Sequence, residues 1–436
     1  MEEGMKRRRL VVRLRLPRRA AILPEELVVE IISWLPVKHV MQLRCVNKFF
    51  KNLIFDPHLV EMHLNKSAQQ QQFAVMHFKG KGLYMETLSI PRLLRNKSPI
   101  FHRHTDPDRR LLKDIIQTGP SGIWWRWLIG SCNGLVCLNG VSYFSKREWL
   151  CLWNPAMRTK SKKISIRFDL RRNPQFTFSF GYDNSTQTYK VVAFYMDLEV
   201  EPKSLLKVFT FRLGDDDIDN SSSSSCWRDI QCCFHVLPLY WRPLNRRSNY
   251  NRKLHNKGVH LNGTINWIVI RNYNINSSST LVTTVDQYVI LSLDLSTETC
   301  TQLLLPRRFD KVPSHLPKLA VLMGCLCFCH DFEETHFVIW QMKNFGVQDS
   351  WIQLFQISYQ ENFFRWMDLL PIYLSENHHT LILAKDQGPT NEDAHEAFIY
   401  NHKYNRVEKI GKIKGITSYI HWQEANDYVE SLVSTH

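Results

Sequence analysis

The sequence has no uninterrupted apolar run of about twenty residues, the length a helix needs to cross a bilayer. It shows no charged-then-apolar leader ending in a small-residue cleavage site, so a protein of the cytoplasm or nucleus, away from membranes, is expected. Its 11 cysteines are an odd number, lie mostly inside apolar runs and form no pair of Cys-x-x-Cys clusters. That argues against a secreted disulfide framework and a zinc module, and for reduced, buried thiols. Neither a Gly-x-Ser-x-Gly elbow nor a Gly-rich Lys-Ser/Thr phosphate loop is present, so hydrolase and nucleotide-binding chemistry lack a starting residue. His378-His379 and the His102/His104 pair have no acidic partner at metalloprotease spacing. No catalytic residue, cofactor or metal is expected.

What is present suffices for more than one packed unit: 436 residues, 44% hydrophobic and 12% aromatic. A formal charge of +15 points to an acidic partner. Part of that charge belongs to residues 1–20, where Lys6, Arg7, Arg8, Arg9, Arg13, Arg15, Arg18 and Arg19 face only Glu2 and Glu3. Such a stretch reads as a nuclear-import signal, a phosphate-binding arm or a solvated disordered tail. The tail is favoured, because no stacking aromatic lies among the basic residues.

From Leu23 the pattern is helical. Pro24 suits a first turn, Glu25 and Glu26 complement the helix dipole, and Leu27, Ile31 and Leu35 recur at helical spacing until Pro36 stops the run. A second short helix is expected through Val40, Met41 and Leu43. A third is expected from the capping residue Asn47 through Phe50, Leu53 and Ile54, ended by Asp56-Pro57. Three helices this short bury little surface alone, so their remaining apolar face needs a partner.

After a polar break the period changes to that of strands. Phe73–Phe78 and Leu83–Leu88 flank a glycine-containing turn, as in a hairpin. Glycine-containing turns then launch apolar strands at Asn133-Gly134, Asn262-Gly263 and Gly324. Other apolar strands run into Asp/Asn turns at Asn154, Asp183, Asp294 and Asn401, where the side chain can bond the backbone two residues on. The ordered recurrence predicts a bladed β-propeller with room for six or seven blades, and a pair of β-sandwiches is the alternative. The expected organisation is a basic tail over 1–20, a helical module over 21–65, a linker over 66–72, a β-domain over 73–425 and a C-terminal tail over 426–436. The fold class is thus α+β multidomain, a small all-α unit followed by an all-β one.

Residues 22–64, from Ile22-Leu-Pro through Leu35-Pro-Val-Lys38 and Leu43-Arg-Cys-Val-Asn-Lys48 to Ile54, resemble the F-box motif over its whole length. The chain departs from that family's habit at His39, where serine is usual, and at Phe50, where tryptophan is usual. The first loses a helix cap worth under about 1 kcal/mol, and the second keeps an aromatic anchor. Gly130–Leu138, Leu152–Ala156, Phe180–Asp183 with Tyr189–Val192, Gly258–Gly263 and Trp340–Trp351 resemble the F-box-associated, kelch-type region of a large plant family. The resemblance implies a non-catalytic adaptor: the F-box docks on a Skp-type protein, and through it a cullin-RING scaffold, while the β-domain presents a target for ubiquitination. It places the docking residues at Leu23, Pro24, Leu27, Ile31, Leu35, Pro36, Val37, Leu43, Val46 and Phe50.

Several features compete with that reading. Cys325, Cys327 and Cys329 alternate along one strand and share a face, where core packing is favoured over a metal site. Trp124, Trp125 and Trp127 serve either as a partner anchor or, preferably, as a plug between blades. The best basic and aromatic loop spans 240–253, with Trp241, Arg242, Arg246, Arg247 and Arg252, and is the candidate target-binding surface for an acidic protein. A basic nucleic-acid or chromatin-associated binder is the runner-up, and an enzyme built on a propeller the third reading. Nucleic acid and membrane are not the expected partners.

Overall fold

Helix starts and stops are written locally in the amino-terminal module. In this computed structural model, which describes residues 23–69, 72–79, 82–95, 123–142, 148–166, 176–197, 203–211, 227–232, 234–239, 257–271, 284–359, 368–385, 396–411 and 420–435, that module has four helices. Helix α1 (Glu25–Ser33) starts behind Pro24, and α2 (Val37–Leu43) starts behind Pro36. Helix α3 (Lys48–Leu53) is capped as expected, the Asn47 side chain accepting from the Phe50 backbone N–H at 2.9 Å. Helix α4 (Pro57–Ser67) was not foreseen. The Asp56-Pro57 pair that stops α3 also starts α4, because Asp56 accepts from the N–H groups of His58 and Leu59 at 2.9 and 3.3 Å and Pro57 takes the first helical position. His63 ties α4 back to the chain after α1. Its Nε2 lies 2.9 Å from the Leu35 carbonyl and its Nδ1 3.2 Å from the Ser67 hydroxyl, and burial pushes its pKa down.

The rest is six antiparallel sheets arranged as the blades of a propeller. Strands β1 (Gln72–Lys79) and β2 (Gly82–Ser89) form the expected hairpin and lead into α5 (Ile90–Arg95). The next blade has β3 (Ile123–Cys132), β4 (Leu135–Ser142) and β5 (Glu148–Asn154), with β6 (Thr159–Lys160) and β7 (Ile164–Ile166) on the edge of β5. It is followed by β8 (Phe176–Asp183), β9 (Thr188–Asp197), β10 (Lys203–Phe211) and β11 (Trp227–Ile230). A five-stranded blade holds β12 (Val236–Pro238), β13 (Val259–Leu261), β14 (Thr264–Arg271), β15 (Tyr288–Asp294) and β16 (Cys300–Leu303). Two four-stranded blades follow: β17 (Lys318–Leu322), β18 (Cys325–Phe332), β19 (His336–Met342) and β20 (Trp351–Ser358), then β21 (Leu369–Leu374), β22 (Thr380–Lys385), β23 (Ala397–Asn401) and β24 (Arg406–Lys409). The last strand, β25 (Ile420–Tyr428), returns to pair antiparallel with β1, so the two ends of the β-domain share one blade.

The innermost strands are β25, β3, β8, β13, β17 and β21, each beside the next and the last beside the first. A closed ring of six blades excludes the sandwich alternative. The turns that launch each second strand are those read from the sequence: Asn133 and Gly134 lie at φ 50° and 77°, Asn262 and Gly263 at 46° and 78°, the left-handed pair that suits a two-residue hairpin. The Asp183 and Asp294 carboxylates accept from the N–H groups of Ser185 and Ser296 two residues on, at 2.9 and 2.7 Å.

Each junction between neighbouring blades has its own apolar core, and the cores follow one another around the ring. Alternation within a strand serves two junctions at once. In β14, Ile265, Trp267 and Val269 face the preceding blade while Ile268 and Ile270 face the following one. In β18, Cys327 and Cys329 pack toward β21–β24, with Leu326 and Phe328 on the other side. Burial pushes the Cys327 thiol up to about 12, the behaviour of a small core hydrophobe.

Because β25 supplies the inner strand of the closing blade, removing residues 420–436 should leave β1 and β2 on an open edge and expose two junction cores. The full-length protein should melt in a cooperative transition by circular dichroism, and the truncated one should lose that cooperativity while staying β-rich.

Candidate functional site

Helix α1 has two faces of opposite fate. Ile32 and Ser33 are buried and Val28 and Val29 half-buried against the helical core, whereas Leu27, Ile31 and Trp34 stand 50%, 53% and 57% exposed. Residues 27, 31 and 34 follow one helix face, and Leu23 extends the stripe at its start. Large apolar side chains in a row on the surface mark an interaction site. The tryptophan is held in place. Its Nε1 donates to Glu30 Oε1 at 3.0 Å, and the Lys66 ammonium lies 4.6 Å from its ring centroid, a cation–π contact. Lys66, from α4, also bonds Glu30 at 2.5 Å and the Ser33 hydroxyl at 2.7 Å, and with Trp34 it holds the Glu30 carboxyl below its ordinary pKa. Further exposed apolar groups are Val46, Phe49 and Phe55, the last under the Arg44 guanidinium at 5.8 Å.

The opposite side of the helical module is fastened to the propeller. Its core of Ile32, Val37, Val40, Leu53, Ile54 and Leu59 is completed by Met157, from the turn after β5, and by Leu432, beyond β25. Residues 429–435 form a strap between the two units, not the free tail expected for 426–436. Asn154 grips it: Nδ2 donates to the carbonyls of Ser431 and Val433 at 3.0 and 2.8 Å, while Oδ1 accepts from Met157 N–H at 3.0 Å and closes the turn. At Gly134 a Cβ would lie 2.2 Å from Ser431 Oγ, so glycine is required both for its φ and for the strap's passage. Glu430 accepts a hydrogen bond from the Val37 backbone and so caps α2, a service that Pro36 lacks the side chain to give; burial raises its pKa. His39, expected at a cap, lies inside α2.

The six inner strands wall a cavity of about 240 Å³ on the propeller axis. Lys257 and Glu424 face each other across it. Among the described residues no group of three or more His, Cys, Asp and Glu is placed to hold a metal ion.

The profile of the F-box domain matches residues 21–61, and that of the F-box associated beta propeller domain matches residues 127–435. The chain belongs to the F-box associated β-propeller family. F-box protein CPR1 of Arabidopsis thaliana is 24% identical over 83% of this chain and 79% of its own length. The F-box/kelch-repeat protein At3g23880 of the same plant is 25% identical over 81% of this chain and 83% of its own. Among solved structures, parainfluenza virus 5 hemagglutinin-neuraminidase superposes with a TM-score of 0.38 at 8% identity, over 68% of this chain and 81% of that one.

Of the F-box residues singled out for docking, Leu23, Pro24, Leu27, Ile31, Pro36 and Val46 are exposed. Leu35, Leu43 and Phe50 are half-buried against the F-box core. Val37 is 0% exposed and belongs to that core, so it supports the fold and is withdrawn from the docking face. Trp34 was missed because the period through Leu27 and Ile31 was continued to Leu35. The helix ends at Ser33, and the Leu35 N–H bonds the Ile32 carbonyl at 3.0 Å, turning that leucine inward. Trp241, Arg242, Arg246, Arg247 and Arg252 lie outside the described residues. Trp124, Trp125 and Trp127 fall on the inner strand β3, with their side chains outside the described set.

The strap's apolar contact should carry much of the attachment between F-box and propeller. Leu432→Ala should cost about 2–5 kcal/mol in chemical denaturation, the range for emptying a buried leucine site. Hydrogen exchange should rise first at the backbone of residues 32–40.

Proposed function

We propose that this protein is the substrate-recognition subunit of a Skp–cullin–F-box ubiquitin ligase, acting in the cytoplasm or nucleus with no chemistry of its own. The observation that carries this reading is the unpartnered stripe of Leu27, Ile31 and Trp34 on an F-box whose other side is locked to a propeller. A buried aromatic with satisfied polar contacts is the usual centre of a binding hot spot, and Trp34 reaches the surface already fixed by Glu30 and Lys66. The Skp-type adaptor is the partner this face fits, and the cullin-RING scaffold follows through it.

Docking should fail when the stripe is made acidic. Leu27→Asp with Ile31→Asp buries two unpaired carboxylates in an apolar contact while disturbing nothing in the F-box core. In pull-down, adaptor capture should fall at least about a hundredfold, from some 3 kcal/mol of lost binding, with an unchanged melting curve. Capture at the wild-type level would remove the stripe from the interface.

The target surface is assigned to the loops, with residues 240–253 first. Pro238 lies opposite Val269 and β13 begins at Val259 opposite Asn266, so this segment interrupts the edge of its blade midway along β14. The F-box core packs on Met157 and the strap passes the Gly134 turn, both on the β3–β7 blade, so this segment belongs to a different blade from the one that seats the F-box. Replacing Arg246, Arg247 and Arg252 with glutamate should slow association with an acidic target about tenfold or more at low salt and leave adaptor capture intact. Equal target capture at low and physiological salt would move the recognition surface elsewhere.

A further inference from the structure

The propeller axis holds charged groups that neither the F-box nor the blade packing uses. Lys257, just ahead of β13, reaches across the cavity toward β25, three blades away around the ring. Its Nζ donates to the Leu128 carbonyl of β3 at 3.1 Å and to Asn426 Oδ1 of β25 at 3.2 Å. Glu424 is only 6% exposed and lines the same space. It is drawn to Lys257 by charge, yet among the described residues no hydrogen-bond donor touches its carboxylate. Asp427, on the same strand, borders the cavity with its side chain exposed, and among the described residues neither donor nor cation rests on it. Gln423 Oε1 is buried without a partner.

The balance of groups selects the ligand. Lys257 already has its acceptors, so an incoming anion would meet two carboxylates. Three acceptor side chains remain unfilled. Burial holds Glu424 up at about 7 and draws Lys257 down to about 8, as expected of charges that lack full compensation. Leu319, Val321 and Leu370 supply an apolar wall beside them, which a hydrated inorganic cation cannot use.

We propose that the propeller channel is a binding site for a small organic ammonium, a short-chain aliphatic amine, with its nitrogen against Glu424 and Asp427 and its methylenes on Leu319, Val321 and Leu370. The site is closed around by all six blades and is sized for a small molecule, not a peptide segment. Occupancy would tie β25, β3 and β13 together.

The test uses the full-length protein and putrescine as the probe, with 1,4-butanediol, succinate and magnesium chloride as comparisons, read by titration calorimetry and by Tm. Putrescine should bind at one site per chain and raise Tm with concentration, and the three comparison solutes at equal concentration and ionic strength should not. Glu424→Gln and Asp427→Asn keep the side-chain volume and remove the charge. Each should weaken putrescine at least about tenfold without lowering the Tm of the unliganded protein. Absence of putrescine binding, equal affinity in both variants, or an equal Tm rise with magnesium would overturn the proposal. The adaptor takes no part in this measurement, so its outcome is separable from that of the ligase reading.

Discussion

The antiparallel pairing of β1 with β25 is the constraint on which the rest of the structure depends. These strands come from opposite ends of the β-domain, and their pairing completes a blade that neither could form alone. Two of the six junction cores involve this blade: Ala74, Met76 and Met85 against the β3 blade, and Phe73, Val75 and Trp422 against the β21 blade. A sheet edge left open there would expose both cores and a row of unpaired backbone groups. The same blade carries both attachments of the F-box, since α4 runs almost directly into β1 and the strap runs directly out of β25. Ring closure and F-box placement are therefore one event.

That arrangement explains why one face of the F-box is left apolar and bare. A helical unit of this size cannot enclose a core by itself, and here the propeller supplies what is missing through Met157 and Leu432. The contact consumes one side only. The α1 stripe on the other side is not an unfinished core, because its tryptophan is bonded by Glu30 and covered by Lys66, contacts that fix a side chain without removing it from solvent. A surface prepared in this way loses little side-chain entropy on binding. The shared core also fixes the α1 stripe relative to the ring.

Much of this was legible locally. The Asn133-Gly134 and Asn262-Gly263 turns, the Asp183 and Asp294 turns and the Asn47 cap each depend on residues within one turn of each other, and each is found where the sequence pattern puts it. What escaped was set by contacts distant in sequence. Val37 looked like an exposed residue after a helix break because its covering partners, Leu432 and Glu430, come from the far end of the chain. Residues 429–435 looked like a tail because nothing in their own composition shows a strand ahead of them or an F-box beside them. Asp56-Pro57 was legible but read in one direction only, as a stop and not also as a start. The blade count needed the pairing of β25 with β1, a register that no short window contains.

The strand that closes the ring also bears the unbalanced carboxylates of its axis. Glu424 and Asp427 lie on β25 between Trp422, which packs the last junction, and Tyr428, after which the strap begins. Leaving the Glu424 charge in so enclosed a place works against stability, and the cost falls on the strand whose pairing holds blade and F-box together. Lys257 offsets part of it from across the channel and in doing so links three inner strands through one ammonium. The centre of the propeller and the seat of the F-box are thus joined by a single continuous strand.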